Sequence, residues 1–147
     1  MHYLAQANYA VWKENVSQGL VQEFSSQVEH VHDEAENAKG YVWRYIDDPD
    51  PKYIERVFAI DRIVFNMSVW ESIDDLKEFT YKNLHRDVMR KRAQWFDHLS
   101  RNTLVLWWVN ADHMPTAEDA KARFDMLEQL GPTSQAFTFA KPFLRTS

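Results

Sequence analysis

The chain of 147 residues contains no cysteine. This absence excludes disulfide bonds, thiolate metal sites and cysteine nucleophiles. There is also no run of roughly 20 apolar residues, the length that a membrane-spanning helix requires. The first residues, MHYLAQANYAVWKENV, lack the charged start and apolar run of a signal peptide. We therefore expect a cytoplasmic protein with no membrane partner.

A dominant basic charge is absent as well. Lysine and arginine total 17 against 22 aspartate and glutamate residues, so the net charge is -5. A general nucleic-acid binder needs a basic surface to neutralise phosphates, and that class is not expected here. Phosphate loops, dinucleotide fingerprints, nucleophile elbows and zinc-binding pairs are missing too. What remains is a reaction that needs only a pocket, such as oxidation of an activated aromatic, cyclisation or isomerisation, or no reaction at all.

What the sequence does have is aromatic residues. They make up 14% of the chain and include six tryptophans. Aromatic side chains bury much area with few rotatable bonds, so they line pockets and subunit interfaces as readily as they fill cores. The length suits one domain over residues 1–147.

The periodicity of apolar residues predicts eight elements in the order strand, helix, strand, strand, helix, strand, helix, strand. Residues 55–60 remain undecided between an edge strand and a loop. Ser72 and Thr116 are expected to cap helices, and Asn37 with Gly40 to end one. The predicted elements are strands at 2–12, 41–46, 63–70, 103–110 and 132–143, and helices at 20–38, from 72 and continuing in a second piece at 82–99, and at 116–130.

This order predicts an α+β fold with a ferredoxin-like β-α-β-β-α-β core and helices on one sheet face. The other face would then carry Asn66, Ser68 and Trp70 together with aromatic residues of the neighbouring strands. That is too much aromatic area to leave in water. We therefore expect a second copy of the chain to cover it, which makes a homodimer and a dimeric α/β barrel.

His85 is the candidate catalytic residue. It lies in a predicted helix among basic residues, and an imidazole can both accept and donate a proton near neutral pH. Two alternatives stay open at this point, a surface histidine and an axial metal ligand. Arginines close to it, such as Arg92, would lower its pKa. Arg92 could also hold a carboxylate or phosphate of a ligand if it turned inward.

Asn66 and Ser68 are the preferred polar lining of a pocket, because their alternation with apolar residues points them away from the helices. His113 follows the strongest strand and could reach the mouth of the pocket, with a structural role as the alternative. The candidate walls are aromatic, with core packing as the alternative for each: Tyr9, Trp43, Trp70 and Trp108. No metal site is expected.

Several strings resemble a known family. Trp70-Glu71-Ser72 connects a predicted strand to a helix with an acidic start, and His85 follows in the helix. This arrangement resembles the dimeric α/β-barrel superfamily, which includes small antibiotic-biosynthesis monooxygenases. More specifically, the chain is similar to the uncharacterised domain of unknown function 3291 family. That resemblance is carried by VWESIDDLKEFTYKNLH, MRKRAQWF, LVLWWV followed by His113 and Pro115, and GPTSQAFTFAKPF.

The resemblance implies the ferredoxin-like fold and a homodimer, and no established activity. Relatives in the superfamily imply two chemistries. Cofactor-independent monooxygenases deprotonate an electron-rich phenol or quinol, which then meets oxygen directly. Haem-binding members use a helix histidine, a strand asparagine and a helix tryptophan, to which His85 and Asn8 would correspond. This chain departs from the haem pattern because Phe79 stands where that tryptophan is expected.

We therefore predict a monooxygenase-like enzyme that needs no cofactor and acts on a small aromatic or hydrophobic molecule. The alternatives are a non-catalytic ligand-binding protein and a haem-binding protein with His85 as iron ligand. His85 is the predicted catalytic residue. The predicted substrate-binding residues are Asn8, Trp43, Asn66, Ser68, Trp70, Arg92, Trp108 and His113.

Overall fold

The computed structural model describes residues 1–83 and 95–145. Its strands and helices follow the order predicted from the sequence, with one additional short helix and without the predicted final strand. Their bounds are β1 His2–Val11, α1 Gln18–Glu36, β2 Tyr41–Arg44, α2 Tyr53–Phe58, β3 Ile63–Trp70, α3 Ile73–Asn83, β4 Leu104–Asn110 and α4 Ala117–Leu130. Among these helices, none is long and apolar enough to cross a membrane.

The four strands form one antiparallel sheet in the order β2-β3-β1-β4. This is the strand order of a ferredoxin-like core, so the predicted α+β fold class is confirmed. The register of the two central strands places Gln6 opposite Ser68 and Asn8 opposite Asn66. The sheet of the single chain is open and does not close into a barrel.

The helices begin and end where the sequence chemistry requires. Ser17 caps α1 by accepting the backbone N–H of Leu20, and Asn37 ends that helix. The hydroxyl of Ser72 accepts the backbone N–H of Asp75 at the start of α3. Thr116 and Asp119 form a reciprocal capping box on α4.

The two faces of the sheet carry different layers. On one face, here called the α2/α4 face, Ala5, Ala7 and Tyr9 of β1 pack with residues of α2 and α4 such as Phe58 and Phe124. The opposite face, here called the α1/α3 face, carries Leu4, Trp70 and Leu106 against Ala35 of α1, Leu76 of α3 and Phe137 of the C-terminal segment. The crossover helices α1 and α3 share one face, as expected for the core.

The other face of the sheet was expected to be open and aromatic, and this expectation was wrong. α2 and α4 cover it within the single chain, and Trp107 there is 1% exposed. Asn66, Ser68 and Trp70 lie on the α1/α3 face, so they point toward the crossover helices rather than away from them. Alternation separates two faces but does not identify which one a helix covers.

α2 was not predicted. Six residues make fewer than two turns, and an isolated helix of that length is unstable in water. Tertiary contacts stabilise it instead, since Phe58 is buried against Tyr9 and Phe124 of the sheet and α4. The phenol of Tyr53 also donates a hydrogen bond to Glu118 of α4.

The final strand predicted at 132–143 was wrong. Leu106 and Phe137 exchange two backbone hydrogen bonds, both 2.8 Å long, and this is an isolated bridge at the outer edge of β4. Local bridges between Thr133 and Ala136 and between Thr138 and Lys141 turn the segment back on itself, which prevents an extended ladder. The helix predicted at 82–99 falls largely outside the described residues, and residues 97–99 are not helical.

Candidate functional site

Four uncharged polar side chains occupy the centre of the α1/α3 face. They come from adjacent strands, Gln6 and Asn8 from β1 and Asn66 and Ser68 from β3, and the register sets them in two facing pairs. Gln6 and Ser68 are 4% and 7% exposed, while Asn8 and Asn66 are half-buried. We call these four residues the polar strip.

A chain of hydrogen bonds runs along the polar strip. Nδ2 of Asn8 donates to Oε1 of Gln6, and Nε2 of Gln6 donates to Oγ of Ser68, each over 2.8 Å. Nε1 of Trp70 donates to the same Ser68 oxygen, also over 2.8 Å. An indole can only donate, so the Ser68 oxygen must be an acceptor in this arrangement.

The polar strip keeps hydrogen-bonding capacity that the described residues do not use. A serine oxygen has two lone pairs and one proton. Both lone pairs of Ser68 are occupied, so its proton is available to an acceptor. Within residues 1–83 and 95–145, the side chain of Asn66 and Oδ1 of Asn8 also make no hydrogen bond. Asn8 and Asn66 are half-buried, so these groups are open to water or to a ligand.

Aromatic residues stand at both ends of the polar strip. At one end the ring of Trp70, which is 0% exposed, lies 5.8 Å from Tyr41 and 5.1 Å from Phe79 of α3. At the other end Phe24 of α1 packs between Trp12 and Trp95, with ring centroids 5.0 and 5.3 Å apart. The hydrogen-bonding groups are therefore framed by apolar surface, as they are in small-molecule sites.

Two further buried polar atoms also lack hydrogen-bond partners within the described residues. Nε1 of Trp95 and Oε1 of Gln27 make no hydrogen bond in the described part of the chain. Gln27 lies one helical turn beyond Phe24 on α1, and Phe24 contacts Trp95. A water or a ligand hydroxyl could satisfy either atom, since it both accepts and donates.

Charged residues border the polar strip on the side of β2. Arg44 faces Ser68 in the register, and its Nε lies 3.0 Å from the carboxylate of Glu36 on α1. His32, one turn earlier on α1, has a pKa lowered first by burial and then by the Arg44 guanidinium. Its imidazole is therefore neutral at pH 7, the form that accepts a proton.

The structure brings together some of the predicted site residues. Asn8, Asn66, Ser68 and Trp70 share one surface. Trp108 lies on the same sheet face, but its indole N–H donates to the carbonyl of Phe143, 2.9 Å away. The hydrogen-bond donor of Trp108 is therefore already used by the C-terminal segment.

Other predicted residues lie elsewhere. Trp43 packs against the core on the α2/α4 face, on the opposite side of the sheet from the polar strip, and its role in binding stays a prediction. His113 is exposed before α4, with Nε2 3.6 Å from Asp119, remote from the polar strip. His85 and Arg92 lie outside the described residues.

Gln6, Gln27 and Trp95 were missed by the sequence analysis. Gln6 could have been noticed as the polar residue between Leu4 and Asn8 on one side of β1. Its partner Ser68 is 62 residues away, and only the strand register brings the two together. Nothing in the sequence marks Gln27 or Trp95.

The described residues contain no cluster of metal-ligating side chains. No group of three or more histidine, aspartate or glutamate side chains in this part of the chain could hold a metal ion. Asparagine, glutamine, serine and tryptophan, which make up the polar strip and its wall, are not iron ligands in haem proteins. His85, the iron ligand predicted for the haem alternative, lies outside the described residues.

An antiparallel sheet in the order β2-β3-β1-β4, with two crossover helices over an uncharged polar strip, defines an α+β protein of ferredoxin-like core. The sequence matches the family described as Domain of unknown function (DUF3291) over residues 3–147, and the chain belongs to that family. No curated protein matches the sequence.

Two solved structures resemble the fold. Protein SO0527 from Shewanella oneidensis is 10% identical with a TM-score of 0.42, over 74% of this chain and 88% of that one. Protein YJCS, from a structural genomics project, is 12% identical with a TM-score of 0.42, over 75% of this chain and 97% of that one.

Proposed function

We propose that this protein binds a small aromatic or hydrophobic molecule over the polar strip and oxidises it in the manner of a cofactor-independent monooxygenase. The observation that carries the proposal is the unused hydrogen-bonding capacity of Ser68 and Asn66 within aromatic surroundings. Such a surface suits a ring that bears one or two oxygen atoms. The ring packs against the aromatic walls, while its oxygen atoms meet the hydroxyl and the amides.

The chemistry proposed needs no external reductant. With 1-naphthol as the probe, one atom of O₂ becomes the carbonyl oxygen at ring carbon 4, and 1,4-naphthoquinone forms. The other oxygen atom leaves as water with the hydrogen of that carbon and the phenolic hydrogen. A base that removes the phenolic proton would start the reaction.

Two histidines are candidates for that base. His85 is the residue predicted from the sequence, and it stays a prediction. His32 is the described histidine beside the polar strip, and its lowered pKa keeps it neutral. The role of each is tested by His85→Ala and His32→Gln.

Binding is measured first, by quenching of tryptophan fluorescence with 1-naphthol under anaerobic conditions. Asn66→Ala removes an amide that has no partner within the described residues, so we expect the fold to be unchanged. The loss of a neutral hydrogen bond weakens binding by about 0.5–1.5 kcal/mol, or about 2- to 13-fold. Asn15→Ala, at an exposed position outside the polar strip, is the matched control. Equal affinity in Asn66→Ala and wild type would refute the site.

Oxidation is then followed by oxygen uptake and naphthoquinone absorbance. We expect one O₂ consumed for each 1-naphthol, with loss of turnover but retained binding when the true base is replaced. Binding without turnover in the wild type would favour the non-catalytic alternative. An absorption spectrum with added haemin tests the third alternative, since a retained Soret band that His85→Ala abolishes would identify a haem protein.

The predicted homodimer is part of the proposal and has its own test. The aromatic face that suggested it is covered by α2 and α4, so a dimer would have to use a different surface. Sedimentation velocity at micromolar concentration distinguishes the two states. A dimer would agree with the proposal, and a monomer would contradict the predicted homodimer.

A further inference from the structure

A cavity lies on the opposite side of the sheet from the polar strip. Its volume is about 200 Å³, and it opens between β1, the end of α2, α4 and the loop that precedes β4. Pockets for drug-sized ligands measure about 300–1,000 Å³, so this one suits a molecule with a single ring. The lining residues are Tyr9, Phe58, Ala59, Ile60, Arg101, Asn102, Lys121, Phe124, Asp125 and Glu128.

The floor of the cavity is aromatic. Tyr9 lies edge-on to Phe124 with ring centroids 5.0 Å apart, and 5.9 Å from Phe58. Each of these three residues is no more than 6% exposed, so the floor is part of the core and fixed in position. A further ring can pack against it in the tilted or edge-on geometry that aromatic groups prefer.

The rim carries one cation that is not paired. Lys121 is held by both carboxylate oxygens of Asp125, at 2.7 and 2.8 Å. The carboxylate of Glu128, which also faces Tyr9, accepts the backbone N–H of Asn102. Arg101 has no carboxylate within ion-pair distance in the described residues, and its Cζ lies 5.8 Å from the centre of the Tyr9 ring.

The phenol of Tyr9 adds a hydrogen-bond donor beneath this cation. Burial raises the pKa of Tyr9, and the Arg101 guanidinium offsets part of the effect. The phenol is therefore protonated at neutral pH and able to donate. A guanidinium and a hydroxyl on one side of an aromatic floor are the groups that bind a carboxylate attached to a ring.

We propose that this cavity binds a single-ring aromatic carboxylate, with the ring against Tyr9, Phe58 and Phe124 and the carboxylate on Arg101. The site is independent of the proposed function, because it lies on the α2/α4 face and shares no residue with the polar strip.

The test uses benzoate as the probe, titrated into the full chain and followed by the backbone amide shifts of Arg101 and Asn102. Benzamide is the neutral analogue, acetate lacks the ring and benzylamine carries the opposite charge. We expect benzoate to bind at least tenfold more tightly than each of the three. No shifts with millimolar benzoate, or equal binding of any analogue, would overturn the proposal. Preference for benzylamine would assign the site to Glu128 and overturn it as well.

Variants identify the groups responsible. Arg101→Gln changes an exposed side chain, so the fold is expected to survive, and benzoate affinity should fall at least tenfold. Lys39→Gln, at an exposed position outside the cavity, is the matched control and should stay within twofold of the wild type. Tyr9→Phe keeps the ring and should bind benzoate a few-fold more weakly. Equal losses in Arg101→Gln and Lys39→Gln would mean unspecific attraction by positive charge and refute the assignment. Asn66→Ala should leave benzoate binding unchanged, which separates this proposal from the proposed function.

Discussion

The hydroxyl oxygen of Ser68 accepts the indole N–H of Trp70 over 2.8 Å, and both side chains are buried. Gln6 donates to the same oxygen. One serine on β3 therefore satisfies two buried donors. Ser68 therefore contributes both to the stability of the fold and to the hydrogen bonds of the candidate site.

Ser68→Ala should destabilise the protein strongly for a change of one oxygen atom. It leaves two buried donors without an acceptor, and each such loss costs about 1–3 kcal/mol. We expect a decrease of about 2–4 kcal/mol in the free energy of unfolding, measured by urea denaturation. Ser134→Ala, at an exposed position without a side-chain hydrogen bond, is the control and should change little. A loss below 0.5 kcal/mol, roughly the low end for one hydrogen bond, would contradict this role of Ser68.

Gly40→Ala should also be destabilising, for two separable reasons. Gly40 has φ 85°, a left-handed conformation that costs an alanine about 1–2 kcal/mol. A Cβ at this position would in addition overlap the side chain of Asp75. Asp75→Gly removes every side-chain atom of the overlap, including Cβ, so in a double-mutant cycle it should recover the part that comes from overlap and leave the part that comes from φ.

The control for Gly40 is Gly19→Ala. Gly19 is in α1, where a Cβ would make only an ordinary contact of 3.9 Å with the Ser17 hydroxyl, so alanine should be neutral or stabilising by up to about 1 kcal/mol. If Asp75→Gly recovered nothing, the contact between residues 40 and 75 would not be close.

Phe137→Ala tests how the C-terminal segment is held on the sheet. Phe137 is 0% exposed and packs with Trp108 and Phe143. Removing a buried phenylalanine costs about 3–5 kcal/mol. Phe139→Ala, at a half-buried position in the same segment, should cost clearly less in the same denaturation experiment. Equal costs would indicate that the segment does not dock through Phe137.

The hydrogen bond between Tyr53 and Glu118 should make stability depend on pH. It raises the pKa of Tyr53 to about 12 and lowers that of Glu118. A phenol with a raised pKa stabilises the fold below its unfolded value of about 10, and this contribution is lost as pH rises toward 12. A carboxyl with a lowered pKa contributes above its unfolded value, and that contribution is lost as pH falls.

Tyr53→Phe should therefore destabilise the protein most between about pH 5 and 10 and progressively less outside that range. The pair is exposed to solvent, so the effect is about 0.5–1 kcal/mol. Urea denaturation at pH 3, 7 and 11 measures it, with Tyr3→Phe as the control. A difference between wild type and Tyr53→Phe that is the same at all three values would contradict the coupling.

Local chemistry made much of the fold predictable. Ser17, Ser72 and Thr116 are strong caps, and the period-2 pattern of β1 and β3 and the apolar run of β4 are clear in the sequence. α2 was unpredictable because its helical state depends on Phe58 packing against β1 and α4. The segment after α4 alternates like a strand, but its local turns allow only one bridge to Leu106.

The candidate site was predictable in part. Asn66 and Ser68 were recognised because polar residues interrupt an apolar strand. Their direction was not, since α2 and α4 supply a second layer that alternation cannot reveal. Gln6 was missed because its significance depends on the register that sets it against Ser68. Trp43, although in a strand like Trp70, lies on the opposite face after a bulge between Tyr41 and Trp43.

The central claim is that the polar strip binds the ligand. The NMR chemical shifts of the side-chain N–H groups test it most directly. 1-Naphthol is titrated into the full chain while the side-chain amides of Asn8 and Asn66 and the indole N–H groups of Trp70 and Trp95 are followed. We predict saturable shifts in these signals and none at Arg101 or Asn102. Shifts confined to residues away from the polar strip, or no saturable shift at all, would contradict the account.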